Sequence, residues 1–435
     1  MARKKVEIVS LGCSKNLVDS ERLLAMLGDA GLEASVVDNV TRAADVAVIN
    51  TCGFIGDAKE ESVNTILETL QSKGAGRLKK VYVMGCLSQR YRSDLEAEVP
   101  EVDGWYGKFD WPALVSDLVH DYPGSAKYDR IITTPRHHAY LKIAEGCNRF
   151  CAFCAIPLIT GRFRSRSIDD IVDETRMLVD RGVKEFNVIA QDLSSYGTDI
   201  YGGRMMLPEL TRRLAEIPGV EWLRMHYAYP AQFPMELMDV MAEYPNVCNY
   251  LDIALQHISD PVLTAMRRHI TSDATRRLIG DMRDRVPGLH LRTTLMVGFP
   301  GEGDREFDEL MRFVEETRFE RMGAFAYCEE DDTWAAHNLP DAVPAEIKQH
   351  RLERLMDLQE RISLDHQEAK VGSRLRVIID REEPEYYIGR TEWDSPEVDP
   401  EVLIAKDKPV TVGEFCHVRV DSAMPFELMA HVESD

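Results

Sequence analysis

Three of the nine cysteines in this 435-residue chain lie close together, in the segment LKIAEGCNRFCAFCAIP. Cys147, Cys151 and Cys154 have the spacing C-x3-C-x2-C and follow a short apolar run. A zinc site more often has paired cysteines or added histidine, and a cluster that only carries electrons needs four thiolates. Three thiolates leave one iron of a 4Fe-4S cluster without a protein ligand, free to chelate a small molecule. The spacing therefore indicates catalysis.

The cysteine loop resembles the cluster-binding loop of the radical S-adenosylmethionine enzymes, in which the free iron holds the amino and carboxylate groups of S-adenosylmethionine. Gly146 precedes the first cysteine, Pro157 follows the last, and the aromatic Phe153 is expected to pack near the adenine. The alternative is a chance group of buried thiols, since a free cysteine behaves as a small hydrophobe. The accompanying glycine, aromatic residue and proline favour the cluster.

Three further cysteines follow predicted strands near the N-terminus. The β-rich runs KVEIVSLG, AADVAVINTCGF and KKVYVMGCLSQ alternate with helical stretches, which predicts a small parallel α/β domain. The carboxyl ends of parallel strands gather at one edge of a sheet, so Cys13, Cys52 and Cys86 form a second candidate cluster site. The alternative is three buried thiols, but flanking glycines favour a ligand because they allow close backbone approach. These glycines are Gly12, Gly53 and Gly85.

The segment from about Pro135 to about Thr333 repeats the pattern of strand then helix. It predicts about six βα units and an open partial barrel, with its site at the carboxyl ends of the strands. Polar residues at those ends are candidates for contact with cofactor or substrate, or else ordinary strand-end caps. They are Gln191, Asp192, His226, Tyr227, Gln256, His257, Gly298 and Glu302. The predicted cofactor-binding residues are Phe153, Gln191, Asp192 and Gln256, with Gln191 and Gln256 favoured among the strand-end residues.

A long polar helix from Pro344 to Gly372 and a distinct tail complete the chain. The tail has short strands between turn signals, which predicts a small β-barrel. Its residues 371–435 carry seven basic and 15 acidic side chains, a net charge of −8. One apolar face of the helix is expected to pack, through Ile347, Leu352, Leu355 and Leu358.

The whole chain is acidic, with 52 basic and 74 acidic residues and a net charge of −22. This balance disfavours nucleic acid and suits a basic partner, although a negative surface also serves solubility. No stretch approaches the roughly 20 apolar residues of a membrane span, and MARKKVEIVS does not lead into a signal-peptide core. We expect a soluble cytoplasmic protein, whose odd cysteine count fits a reducing compartment.

Over nearly its whole length the chain resembles the methylthiotransferases, and within them the RimO branch. The motifs that carry this resemblance are SLGCSKNLVDSE, NTCGFI, YLKIAEGCN, AQDLSSYG, HYAYP, LDIALQHI, VGFPGE and GRTEWDSPEVD. Ser14 and Ala254 stand where proline is common, and Cys328 where serine is common. The resemblance implies three domains: an α/β methylthiotransferase domain with an auxiliary iron-sulfur cluster (1–125), an open (β/α)6 radical S-adenosylmethionine barrel with its linker helix (133–368) and a TRAM β-barrel (371–435).

The resemblance also implies an activity, the methylthiolation of an aspartate β-carbon in the twelfth protein of the small ribosomal subunit. The cofactors would be S-adenosylmethionine and two 4Fe-4S clusters, one on each set of three cysteines. The first cluster would cleave S-adenosylmethionine to a 5'-deoxyadenosyl radical that takes hydrogen from the aspartate, and the second would hold the sulfur that the substrate radical captures. A second S-adenosylmethionine would supply the methyl group. No acid/base catalytic residue is required for the hydrogen abstraction.

The partners implied are a basic ribosomal protein, free or in the assembling or assembled ribosome, a low-potential electron donor such as flavodoxin or ferredoxin, and a sulfur source. Opposite charge would steer a basic substrate to the acidic tail. The residues expected to contribute are Glu382, Glu383, Asp394 and Glu397.

Two other functions compete with this interpretation. The first is methylthiolation of a modified adenosine in transfer RNA, but that branch usually lacks KNLVDSE and has a more basic tail. The second is a non-enzymatic iron-sulfur carrier or sensor, which would need neither a free iron on both clusters nor VGFPGE and AQDLSSYG beside the loop. Cys248, Cys328 and Cys416 have no partner spacing and are predicted to be buried or incidental thiols.

Overall fold

The computed structural model describes residues 4–41, 43–119 and 130–433. It contains two parallel sheets with helices and a closed β-barrel, so the predicted fold class is confirmed. The predicted end of the first domain at 125 and the chain terminus at 435 lie outside the described residues. The three domain ranges stay predictions.

The N-terminal sheet has five parallel strands. They are β1 (Lys5–Ser10), β2 (Glu33–Val37), β3 (Val46–Thr51), β4 (Lys80–Gly85) and β5 (Gly104–Trp105). Their order is β2-β1-β3-β4-β5, so the three strands that precede the cysteines are neighbours. Every residue of β3 is buried, as in parallel sheets covered on both faces. The helices are α1 (Ser14–Asp29), α2 (Gly56–Gly74), α3 (Cys86–Glu98) and α4 (Trp111–Leu118).

The central sheet has six parallel strands in chain order and does not close. They are β6 (His138–Lys142), β9 (Glu185–Ile189), β10 (Trp222–Ala228), β11 (Val247–Ile253), β12 (His290–Val297) and β13 (Arg321–Ala326). A short antiparallel pair, β7 (Ala144–Glu145) and β8 (Arg164–Ser165), lies beside the cysteine loop. The six predicted βα units are confirmed.

Helices follow the central strands, and most of them bury apolar residues in the core that the sheet forms. They are α5 (Ile156–Thr160), α6 (Ile168–Asp180), α7 (Leu207–Ala215), α8 (Glu236–Glu243), α9 (Asp260–Ala265), α10 (Ser272–Arg285), α11 (Asp304–Thr317) and α12 (Trp334–Asn338). A 3-10 turn spans Leu193–Ser195. Among the described helices, none is long and apolar enough to cross a membrane.

The linker helix α13 (Ala345–Glu368) packs against the central domain, with Leu355 and Leu358 buried. The prediction that Ile347 shares this face is wrong, because its side chain is 39% exposed. In the first turns the inward positions are taken by Lys348, which is paired with Asp341, and by Arg351, which is paired with Glu302.

The C-terminal strands close into a barrel in the order β14-β15-β16-β18-β17. They are β14 (Arg374–Glu382), β15 (Tyr386–Thr391), β16 (Glu401–Ala405), β17 (Phe415–Met424) and β18 (Glu427–Val432). Alternate residues such as Val377, Ile379, Val402 and Ile404 fill the interior. The barrel contacts the central strands near their amino ends, for example through Arg390 and Glu185, away from the end that carries the cysteine loop.

Candidate functional site

One cavity of about 330 Å³ lies between the N-terminal sheet and the central barrel. Both sheets point the carboxyl ends of their strands towards it. Its wall includes all six cysteines predicted as cluster ligands. Sequence reasoning had placed each set of three at its own sheet edge, and the structure brings the two sets to a single cavity.

The cysteines of the second candidate cluster site are held by three neighbouring strand ends. Cys13 caps α1, Cys52 follows β3 and Cys86 opens α3. Gly12, at φ +85°, is required by close packing, because a Cβ there would lie 2.8 Å from the Cys52 Sγ atom. The strand-end glycines therefore allow the three loops to approach one another, whereas the sequence prediction had them making room for a ligand.

Nearby lysines favour the thiolate form of Cys13, whereas burial favours the protonated forms of Cys52 and Cys86. Burial raises the pKa of Cys52 and raises that of Cys86 to about 12. Burial would also raise the pKa of Cys13, but Lys15 and Lys108 lower it below its ordinary value. A buried thiol is relieved of its proton when it ligates a metal. This donor set therefore fits an iron-sulfur cluster.

The cysteines of the first candidate cluster site, Cys147, Cys151 and Cys154, lie in the loop between β7 and α5. Burial raises the pKa of Cys147 to about 12 and also raises that of Cys154. Arg268 Nη1 lies 3.2 Å from the Cys151 Sγ atom. Arg149 and Arg268 each lie 4.2 Å from the centroid of the Tyr229 ring. These two arginines would favour the thiolate forms of the loop cysteines, as Lys15 and Lys108 do for Cys13.

Among the described residues, no group of three or more His, Cys, Asp or Glu side chains is arranged to hold a single metal ion. An iron-sulfur cluster makes a different demand, because each thiolate ligates a separate iron. Two sets of three thiols on one cavity wall fit that demand.

Three of the four predicted cofactor-binding residues, Phe153, Gln191 and Gln256, line the cavity. The side-chain oxygens of Gln191 and Gln256 are buried and accept no hydrogen bond from any described residue. Asp192 does not line the cavity. Its carboxylate accepts hydrogen bonds from Arg149 Nε at 2.7 Å and from the Ser195 hydroxyl at 2.5 Å, so it positions Arg149.

The remaining strand-end candidates divide between the cavity and structural roles. Tyr227 lines the cavity. His226 is buried against Asn187 at 3.1 Å, and burial holds its pKa well below the ordinary value. His257 contacts Glu302 at 3.0 Å, which also accepts a hydrogen bond from Arg351 of α13. Gly298 packs on α13, where a Cβ would meet Lys348.

Buried charges join the two domains beside the cavity. Asp19 accepts hydrogen bonds from Lys108 at 2.8 Å and from Lys142 of β6. Lys142 also donates to Glu145 at 2.8 Å, and Glu145 accepts from the Gln191 amide. The chain of contacts links α1 of the first domain to a predicted cofactor-binding residue of the second.

Sequence reasoning missed several polar residues on the cavity wall. Lys15 and Asn16 belong to the KNLVDSE motif, and Arg149 lies inside the cysteine loop, so their motifs could have indicated them. Lys108 and Arg268 are far from any recognised motif, and no sequence signal identifies them.

Comparison with known proteins gives consistent results along the whole chain. Residues 5–107 match the uncharacterized protein family UPF0004, residues 141–314 the radical SAM superfamily and residues 371–432 the TRAM domain. A ribosomal protein uS12 methylthiotransferase RimO from Porphyromonas gingivalis is 57% identical over 434 residues, covering 99% of this chain and all of the relative. The chain belongs to the RimO family.

Other RimO proteins are similar over the same length. The one from Parabacteroides distasonis is 56% identical and the one from Cytophaga hutchinsonii 47%, each covering 99% of this chain, with 100% and 98% of the relatives' own lengths covered.

Solved structures share the fold of most of this chain at low identity. The radical S-adenosylmethionine methyltransferase TsrM from Kitasatospora setae has a TM-score of 0.55 and 15% identity, covering 74% of this chain and 73% of its own. The cobalamin-dependent S-adenosylmethionine radical enzyme OxsB has a TM-score of 0.53 and 13% identity, covering 83% and 56%. At these identities the likeness concerns the fold alone.

Proposed function

We propose that this chain is a radical S-adenosylmethionine methylthiotransferase that adds a methylthio group to the β-carbon of an aspartate in ribosomal protein uS12. The observation that carries the proposal is the single cavity lined by two sets of three cysteines from separate domains. Full-length relatives at 47–57% identity, named as uS12 methylthiotransferases, support the substrate.

Cys147, Cys151 and Cys154 would hold the 4Fe-4S cluster, and the acceptor oxygens of Gln191 and Gln256 are available for S-adenosylmethionine. The bound cluster and cofactor supply radical chemistry, which can break a C-H bond that has no acidity for a base to exploit. The protein contributes a mostly apolar wall that excludes water from reactive species. That wall includes Phe54, Phe153, Ile156, Ile159 and Ala254.

The second cluster, on Cys13, Cys52 and Cys86, belongs to the same proposal. Its three thiols face the same cavity as Cys147, Cys151 and Cys154. A substrate side chain in the cavity would therefore reach both clusters. Lys108, held by Asn16 and Asp19, supplies a fixed positive charge beside these thiols.

We also propose three partners: a low-potential electron donor such as flavodoxin or ferredoxin, a separate sulfur source, and uS12 as substrate, either free or in the ribosome. We propose a cytoplasmic location for the protein.

The prediction that the acidic tail steers a basic substrate requires one correction. Asp394 is buried and paired with Arg321 at 2.5 Å, so it presents no charge to a partner, whereas Glu382, Glu383 and Glu397 are exposed.

Two cysteine variants of the anaerobically reconstituted enzyme test these assignments. Cys151→Ala should abolish formation of 5'-deoxyadenosine. Cys52→Ala should retain this formation, lose about half of the iron and lose methylthio transfer, because only the second cluster is removed. Cys328→Ser is the matched control, because Cys328 is exposed and does not line the cavity. Wild-type iron content in Cys52→Ala would refute the second cluster.

A further inference from the structure

Lys15 brings a positive charge to the cavity wall between the two sets of cysteines. It lies in the first turn of α1, two residues after Cys13, and its side chain is buried. Its Nζ atom lies 3.3 Å from the centroid of the Tyr227 ring, which belongs to the other domain. The ring therefore holds the ammonium group at the domain interface, where both residues line the cavity.

The other cations on this wall have polar partners. Arg149 pairs with Asp192 at 2.7 Å, and Arg268 donates to the carbonyl oxygen of Ala254 and to a cysteine thiol. Lys108 pairs with Asp19 at 2.8 Å.

Within residues 4–41, 43–119 and 130–433, the Lys15 ammonium forms no ion pair with a carboxylate and donates no hydrogen bond, although its charge acts on the Cys13 thiol and on Asp252. An ammonium group on the wall of a mostly apolar cavity gains from an anion beside it, and the contact with an aromatic face supplies only part of that gain. The site is therefore suited to a bound anion.

The substrate side chain supplies such an anion. The β-carbon of an aspartate is bonded directly to its carboxylate carbon, so a β-carbon placed between the two cysteine sets brings a carboxylate into the same space. Much of the wall around that space is apolar, with Phe54, Ile156 and Ala254 among its residues. A carboxylate there needs a charge-assisted hydrogen bond, and Lys15 is a wall cation that donates no hydrogen bond within the described chain.

We propose that Lys15 binds the side-chain carboxylate of the substrate aspartate and thereby selects an acidic side chain and positions its β-carbon. This inference rests on the proposed function. It gives the first residue of the KNLVDSE motif a direct role in substrate choice, whereas Asp19 of the same motif joins the domains through Lys108 and Lys142.

The test uses the reconstituted enzyme and two peptides of the uS12 target loop, one with the target aspartate and one with asparagine in its place. The wild-type enzyme should bind the aspartate peptide about tenfold to a hundredfold more tightly, as expected for one charge-assisted hydrogen bond. Lys15→Met should raise KM for the aspartate peptide by a similar factor and bind both peptides equally. Lys15→Arg should restore much of the preference because it keeps the charge.

Lys79→Met is the matched control, since Lys79 is exposed and pairs with Asp45 away from the cavity. The KM of this variant for the aspartate peptide should be unchanged. Iron content and 5'-deoxyadenosine formation, measured on every variant, separate a lost cluster from lost substrate binding. If Lys15→Met does not load its clusters, the inference is still tested by the preference of the wild-type enzyme for the aspartate peptide and by whether Lys15→Arg retains that preference.

Two results would overturn the inference: equal binding of both peptides by the wild-type enzyme, or a full preference for aspartate in Lys15→Met. Failure of the proposed function gives a different result, because the wild-type enzyme would then add no methylthio group to the aspartate peptide at all.

Discussion

Arg390 of the C-terminal barrel and Glu185 of β9 form a buried ion pair through two hydrogen bonds, with Nη1–Oε1 3.0 Å and Nη2–Oε2 2.7 Å. Burial alone would raise the pKa of Glu185, but Arg390 and Arg224 hold it far below the ordinary value. Asp380 accepts from Arg390 Nε at 2.6 Å. This cluster of charges ties the barrel to the amino ends of the central strands.

Removing the cation from this pair should be strongly destabilising. Arg390→Met leaves Glu185 and Asp380 buried with fewer partners, and breaking a buried pair costs about 3–5 kcal/mol. We expect a loss of about 3 kcal/mol in the free energy of unfolding, measured by urea denaturation. Arg381→Met is the control, because Arg381 and its partner Glu401 are largely exposed and such pairs contribute about 0–1 kcal/mol. Equal losses in the two variants would contradict this account of the interface.

His138 should make stability depend on pH. Burial, with Arg390 nearby, lowers its pKa from 6.5 to about 4. Between these values the unfolded chain binds a proton that the folded protein does not, so stability falls as the pH decreases through this window. At pH 5.5 the free energy of unfolding should be about 1 kcal/mol lower than at pH 7.5 because of this histidine.

His138→Phe should remove this component and leave the other titrating groups in place. Urea midpoints of wild type and variant at pH 7.5 and 5.5 provide the measurement. An identical pH dependence in both proteins would show that His138 is not held neutral.

Gly12→Ala should disturb the second cluster site more than it disturbs the fold. The added Cβ would lie 2.7 Å from the Cys52 Cβ atom, and the backbone has a positive φ that alanine rarely adopts. We expect lower iron loading of the auxiliary site, measured by iron content and absorbance. Gly28→Ala is the control, because Gly28 lies inside α1 with open space around it. This substitution should raise the free energy of unfolding by about 0.5–1 kcal/mol and leave the iron loading unchanged. Normal loading in Gly12→Ala would count against the close packing of these loops.

The acidic tail should accelerate encounter with a basic substrate. Replacing the exposed Glu382, Glu383 and Glu385 by lysine should slow association with uS12 by about tenfold at low ionic strength and by much less in high salt. Binding kinetics at two salt concentrations provide the measurement. A charge-matched control replaces three exposed aspartates of α10, Asp273, Asp281 and Asp284. Equal effects of the two triple variants would mean that only the net charge of the chain sets the association rate, and would refute a specific role of the tail.

Strand periodicity and the cysteine positions predicted most of the fold, because parallel strands bring their carboxyl ends together whatever the loop lengths. Two N-terminal strands were missed for physical reasons. The edge strand β2 is only partly buried, so its apolar pattern is weak, and β5 has two residues.

The family resemblance implied that both clusters act on one substrate, but the geometry of the shared cavity could not be predicted from the residues, because it depends on how two domains dock. That docking uses Asp19 and Lys142, which are 123 residues apart in sequence and carry no local signal of their contact. The same limit explains the pairing of Asp192 with Arg149, which the sequence did not indicate, and the predicted cofactor contact of Asp192 stays a prediction. A strand-end carboxylate looks the same in sequence whichever partner it finds.

The most direct test of the account is mass spectrometry of two candidate substrates, uS12 or its target-loop peptide and a transfer RNA that carries the modified adenosine. Each is incubated with anaerobically reconstituted enzyme, reductant, sulfide and S-adenosylmethionine. We expect a methylthio mass gain on the aspartate of uS12 and none on the RNA. A gain on the RNA alone would contradict it.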